Sequence, residues 1–155
     1  MSKVLLINGS PHAHGCTFTA LGVVADELQK ASIETEIVHV GHKDIRGCIG
    51  CYKCKEMGRC VFDKDMVNEV AKKFEEADGL VIGSPVYYAG ANGTLVSFLN
   101  RLFGVAPVKT TALDGAHPSV EQGEALLQHV LRRSGEVVLA VQSNGLRKGR
   151  KIVIW

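Results

Sequence analysis

The sequence predicts a doubly wound α/β domain, residues 1–155, with a sheet of five parallel strands and helices on both faces. Three observations predict it. Apolar, β-branched runs alternate with helically spaced apolar positions. The first and third runs end in Gly/Ser/Pro turns, where sheets of this kind place ligands. The length, 155 residues at 46% hydrophobic content, fills one core and not two.

Lys3 to Asn8, with Val4-Leu5-Leu6-Ile7 at its centre, reads as a strand covered on both faces. Thr17 is the expected N-cap of a helix whose apolar positions are Leu21, Val24, Leu28 and Ala31, opposite Asp26, Glu27, Gln29 and Lys30. Ile33 to Val40 gives a second strand, and the resulting crossover must be right-handed. Asp63 is the expected cap of a helix carrying Met66, Val67, Val70, Ala71 and Phe74; Gly79 to Gly83 is the third strand. Asn92 caps a helix with Leu95, Phe98, Leu99, Leu102 and Phe103 inward, and Gly104 to Pro118 reads as loop. The capping box Ser119-Val120-Glu121-Gln122 opens a helix with Leu126, Leu127, Val130 and Leu131. Glu136 to Gln142 and Lys151 to Trp155 are the expected fourth and fifth strands, joined by a Gly- and Lys/Arg-rich connection.

A net charge of +2 supplies no field for nucleic acid or an anionic membrane. The apolar run at Val4 to Ile7 is too short for a signal-peptide core, and no stretch has membrane-spanning length, so a cytoplasmic protein is expected. Four of the five cysteines stand between positions 48 and 60, a pattern for metal or redox chemistry rather than a secreted disulfide framework.

The loop Asn8 to Thr17 joins a buried strand to a helix N-terminus, where free amides and the helix dipole favour an anion such as phosphate. Ser10 and Thr17 add hydroxyls, His12 and His14 add ring nitrogens, and Gly9 and Gly15 permit close backbone approach. Neither G-x-x-x-x-G-K-[ST] nor G-x-G-x-x-G fits these residues, which disfavours triphosphate hydrolysis and Rossmann-type dinucleotide binding. After the third strand, Gly83-Ser84-Pro85-Val86-Tyr87-Tyr88-Ala89-Gly90 could form an apolar wall with backbone amides for a flat, electron-accepting ring.

These two loops resemble those of the flavodoxin-like NAD(P)H-dependent FMN reductases and iron–sulfur flavoproteins, and the resemblance runs from about Lys3 to Phe103. It implies a flavodoxin-like fold, with Ser10, His12, His14, Gly15, Cys16 and Thr17 around the FMN phosphate. Pro85, Val86, Tyr87, Tyr88, Ala89 and Gly90 would lie along the flavin. His12 stands where the family pattern has Arg, and Cys16 where it has Asn. No side chain is required as a catalytic acid, base or nucleophile, because the flavin carries the chemistry.

Cys48, Cys51, Cys54 and Cys60 form C-x2-C-x2-C-x5-C, close to the compact run that wraps a [4Fe–4S] cluster. A zinc ion and no metal at all are the alternatives, although cysteines three apart crowd one small ion. The iron–sulfur flavoproteins carry this motif in the same place, after strand two. Lys43, Arg46, Lys53, Lys55 and Arg59 surround the thiols. The resemblance implies NAD(P)H or a ferredoxin as electron donor and a cluster, flavin or quinone-like small molecule as acceptor. A carrier reduced by ferredoxin with no substrate of its own, and a metal-binding regulatory module, are the other functions the residues allow. Residues 104–155 depart from the family pattern and end on an apolar strand. Such an edge needs covering, so a homodimer or homotetramer is expected.

Overall fold

A computed structural model describes residues 3–106 together with the backbone of two short strands at 141–142 and 153–154. Its elements are β1 (Lys3–Asn8), α1 (Cys16–Lys30), β2 (Glu34–His39), α2 (Cys54–Met57), α3 (Val67–Glu76), β3 (Gly79–Gly83), β4 (Val86–Tyr87), β5 (Gly90–Ala91), α4 (Gly93–Val105), β6 (Val141–Gln142) and β7 (Val153–Ile154).

The sheet order is β2-β1-β3-β7-β6, with β2, β1, β3 and β7 parallel. Placing β1 between β2 and β3 is the first half of the flavodoxin-like 2-1-3-4-5 order, and the chain reverses its winding between β1 and β3. Alternation along β1 serves two layers. Val4 and Leu6 pack with Ala20, Leu21, Val24 and Ala25 of α1, and Leu5 and Ile7 pack with Val70, Phe74, Leu95, Phe98 and Leu102 of α3 and α4. Helices therefore cover both faces, as the sequence predicts.

Several expectations are corrected. β6 pairs antiparallel to β7, so the sheet is not wholly parallel; the connection between them is shorter than the dozen or so residues a parallel crossover needs. α1 starts at Cys16 with Gly15 as N-cap, and Thr17 sits buried in its first turn rather than capping it. α3 starts at Val67, not after Asp63. Asp65 Oδ1 accepts the Val67 amide at 3.1 Å, while Asp63 turns outward to Arg59. α4 extends through Gly104 and Val105, because Val105 continues its apolar face into the core. The expected helix at 119–131 and most of the fourth and fifth strands lie outside the described residues. Among the described residues no helix is long and apolar enough to cross a membrane.

One charge cluster clamps the sheet edge. Glu36 on β2 accepts from Lys73 of α3 at 2.8 Å and from Lys3 of β1 at 3.1 Å. The Lys73 hydrogen bond, the largest influence, holds the Glu36 carboxyl below its ordinary range.

Candidate functional site

The ends of β1, β2 and β3 meet at one rim. Gly9 N–H donates to the Gly83 carbonyl at 2.7 Å, which joins the two loops singled out in the sequence. A Cβ on Gly9 would stand 2.5 Å from Leu95 Cδ2, so this glycine serves the approach of strand and helix rather than of a ligand. Gly41, just past β2, is tighter still: a Cβ there would lie 2.2 Å from the Ser10 carbonyl oxygen and 2.3 Å from that of Gly9.

Asn92 ties the rim together. Its Oδ1 accepts the Thr94 amide at 3.0 Å, the expected N-cap of α4. Its Nδ2 also donates to the carbonyls of Gly9 at 2.7 Å and Gly41 at 3.1 Å, and its own N–H donates to Ser84 Oγ at 3.0 Å. Asn92→Ala therefore leaves two buried carbonyls without this donor and a helix without its cap. We expect a loss of about 1–3 kcal/mol in urea unfolding.

The β1–α1 loop is a compact turn. Asn8 Oδ1 accepts the Ser10 amide at 3.0 Å, Ser10 Oγ accepts the His12 amide at 3.1 Å, and His39 Nε2 lies 2.7 Å from the Ser10 carbonyl oxygen. Ser10 and Thr17 are buried, whereas His12, His14 and Cys16 are exposed. The His14 ring meets Phe18 edge-on at 5.0 Å. No side chain caps α1, so its first-turn amides are left to the loop or to an anion.

The loop after β3 is a β-hairpin, which the sequence reading did not anticipate. Val86 and Tyr87 pair with Ala91 and Gly90 around Tyr88 and Ala89, whose φ values are 50° and 60°. Two central residues in the left-handed region make a type I′ turn, a conformation usually assigned to Asn-Gly or Gly-Gly. Pro85, Val86, Ala89 and Gly90 join Ile82 and Leu95 around an apolar hollow of about 230 Å³. Tyr87 and Tyr88 lie outside that hollow and exposed, Tyr88 completely so.

A second, shallow hollow, with about 30 Å³ of enclosed space, lies against α4 and is bordered by all four clustered cysteines. Cys48 and Cys51 are exposed, Cys54 and Cys60 half-buried, and none is in a disulfide. Ile49, Val61, Phe62 and Val105 give it apolar walls. Among the described residues, no three Cys, His, Asp or Glu side chains converge closely enough to hold one metal ion. Four thiols bordering one hollow are a donor set whose chemistry fits thiolate-bound iron.

Two residues fix Cys60, and neither was foreseen from the sequence. Asn68 receives the Cys60 amide on Oδ1 at 2.8 Å and donates from Nδ2 to the Cys60 carbonyl at 3.0 Å. Arg101 of α4 donates from Nε to Cys60 Sγ at 3.2 Å and pairs with Asp65. Burial opposes the Arg101 charge, but its hydrogen bonds to Asp65 and Cys60 outweigh it and raise its pKa above the ordinary value. The available signal was its register: Phe98, Arg101, Leu102 and Val105 recur at helical spacing on the inward face.

Comparison with known proteins follows the same lines. Residues 2–144 match the family of NADPH-dependent FMN reductases. Over 99 residues the chain is 39% identical to an iron–sulfur flavoprotein of Methanocaldococcus jannaschii, covering 64% of this chain and 51% of that protein. It is 27% identical over 99 residues to an iron–sulfur flavoprotein of Methanosarcina thermophila, with 64% and 51% covered. The chain spans about half the length of these curated relatives. Among solved structures it is similar in fold to RosB, crystallised with 8-demethyl-8-formylriboflavin-5′-phosphate. The TM-score is 0.54 at 20% identity, covering 87% of this chain and 60% of that one.

Proposed function

The chain belongs to the NADPH-dependent FMN reductase family, and on that premise we propose that it binds FMN at the β1–β3 rim and a [4Fe–4S] cluster in the cysteine hollow. Bound FMN would accept a hydride from NAD(P)H and release its electrons singly. The observation that carries the reading is the joining of two strand-end loops through Gly9, Gly83 and Asn92.

The protein's part is placement. The first-turn amides of α1, with Ser10, Gly15, Cys16 and Thr17, offer donors to the FMN phosphate. His12 and His14 are exposed beside them and offer ring nitrogens as further donors. Pro85, Val86, Ala89 and Gly90 offer an apolar wall for the ring, and the exposed Tyr87 and Tyr88 extend it toward solvent. Cys48, Cys51, Cys54 and Cys60 fit the cluster as thiolate ligands. The acceptor is a flavin or quinone-like small molecule, and the chain acts in the cytoplasm as a homodimer or homotetramer.

The exposed Lys43, Arg46, Lys53, Lys55 and Arg59 around the thiols favour a second reading. In it an acidic carrier such as ferredoxin, rather than NAD(P)H, delivers the electrons.

Anaerobic purification with flavin, iron and acid-labile sulfide quantification tests the assignment. We expect bound FMN, and iron and sulfide in equal amounts. Cys54→Ser should lower the iron content several-fold while FMN stays. A protein that takes up no FMN when FMN is added overturns the reading.

A further inference from the structure

Arg101 is the largest of the fully buried side chains among the described residues. A guanidinium is held in a core only when its donors are matched. Asp65 accepts from both terminal nitrogens, the Phe62 carbonyl accepts from Nη2 at 2.8 Å, and the Arg46 carbonyl accepts from Nη1 at 3.3 Å. That leaves Nε–H, which points at Cys60 Sγ. The carboxylate thus takes the far end of the fork and the sulfur takes the near one. The sulfur contact therefore completes the guanidinium's set of five matched donors.

We propose that Arg101 is a positioning residue for the Cys60 corner of the iron–sulfur cluster, fixing that sulfur by a hydrogen bond and turning the positive end of its ion pair with Asp65 toward it. The inference rests on the cysteine hollow carrying a cluster. Hydrogen bonds to ligand sulfur and nearby charge are the means by which a protein sets a cluster's potential. Reduction adds one electron to the cluster, and the Nε–H donor, at the positive end of the Arg101–Asp65 pair, stabilises that added charge. The charge of an arginine needs no proton uptake to be present. Asn68 holds the backbone of the same cysteine, so Cys60 is fixed at both its amide and its sulfur.

The test uses the whole chain, anaerobically loaded with FMN, iron and sulfide, as wild type, Arg101→Lys and the charge-neutral Asp65→Asn/Arg101→Gln. Dithionite in excess, each ion giving two electrons as it becomes two sulfites, reduces the bound FMN by two electrons and takes the cluster from 2+ to 1+ with one. Midpoint potential and the paramagnetic spectrum of the reduced cluster are read. We expect all three proteins to hold FMN equally, the double variant to show a lower potential and an altered spectrum, and Arg101→Lys to fall between. Loss of iron from Arg101→Lys with FMN retained supports positioning in the same way. If the double variant does not fold, Arg101→Lys decides alone. Full iron content with unchanged potential and spectrum overturns the proposal. Wild-type protein that binds FMN and no iron overturns the cluster reading itself, before any variant is made.

Discussion

Gly41→Ala is expected to unfold the rim: a loss of about 3 kcal/mol or more in chemical denaturation, at or above the top of the usual overpacking range. The added methyl would lie 2.2–2.3 Å from the Ser10 and Gly9 carbonyl oxygens, and those atoms are backbone that no rotamer change can move aside. Gly9 is held by Gly83 and by Asn92, and Ser10 by Asn8 and His39, so the loop cannot give way without breaking several hydrogen bonds. Because the displaced segment is the proposed phosphate loop, FMN affinity should fall at least tenfold, which corresponds to about 1.4 kcal/mol. Fluorescence titration with FMN and a urea melt check both halves. Unchanged stability and unchanged affinity would mean that β2 does not press on this loop.

Asp65→Ala is expected to cost about 3–5 kcal/mol, the range for removing one partner of a buried ion pair, because Arg101 would keep its charge with no carboxylate beside it. Replacing both partners separates charge from packing. Asp65→Ala/Arg101→Met removes the stranded cation and keeps most of the side-chain volume, so it should regain most of the lost stability. Equilibrium unfolding of the three proteins measures this. Equal destabilisation in single and double variants would show that the cost lies in packing and not in charge.

The layers of the fold were legible in the sequence because burial on both faces leaves a local mark: Val4-Leu5-Leu6-Ile7 and Leu80-Val81-Ile82 carry no polar interruption. The cysteine spacing and the Asn92 cap were legible for the same reason, since each is written in neighbouring residues. What the sequence hid depends on distant partners. Gly41 follows a strand like many glycines, and only the approach of the Ser10 carbonyl gives it a role. Arg101 lay in plain view on an apolar helix face, but its match to Asp65 and Cys60 spans separations of 36 and 41 residues. The start of α3 was misplaced at Asp63 because Asp65, two residues on, accepts the Val67 amide while its other oxygen is held by the distant Arg101. The hairpin at 86–91 was missed because Tyr88 and Ala89 are poor indicators of left-handed backbone.

Helix α4 begins at Asn92, under the loops of one hollow, and presents Arg101 to the other. At 1.5 Å per residue that separation is about 14 Å, set by the regular rise of a helix rather than by any flexible segment. One residue inserted between Asn92 and Arg101 would rotate the guanidinium by about 100° and swing it off the sulfur, while leaving the cap in place. The helix can therefore accept exchanged side chains along its outer face, but its length acts as a fixed ruler between the two hollows.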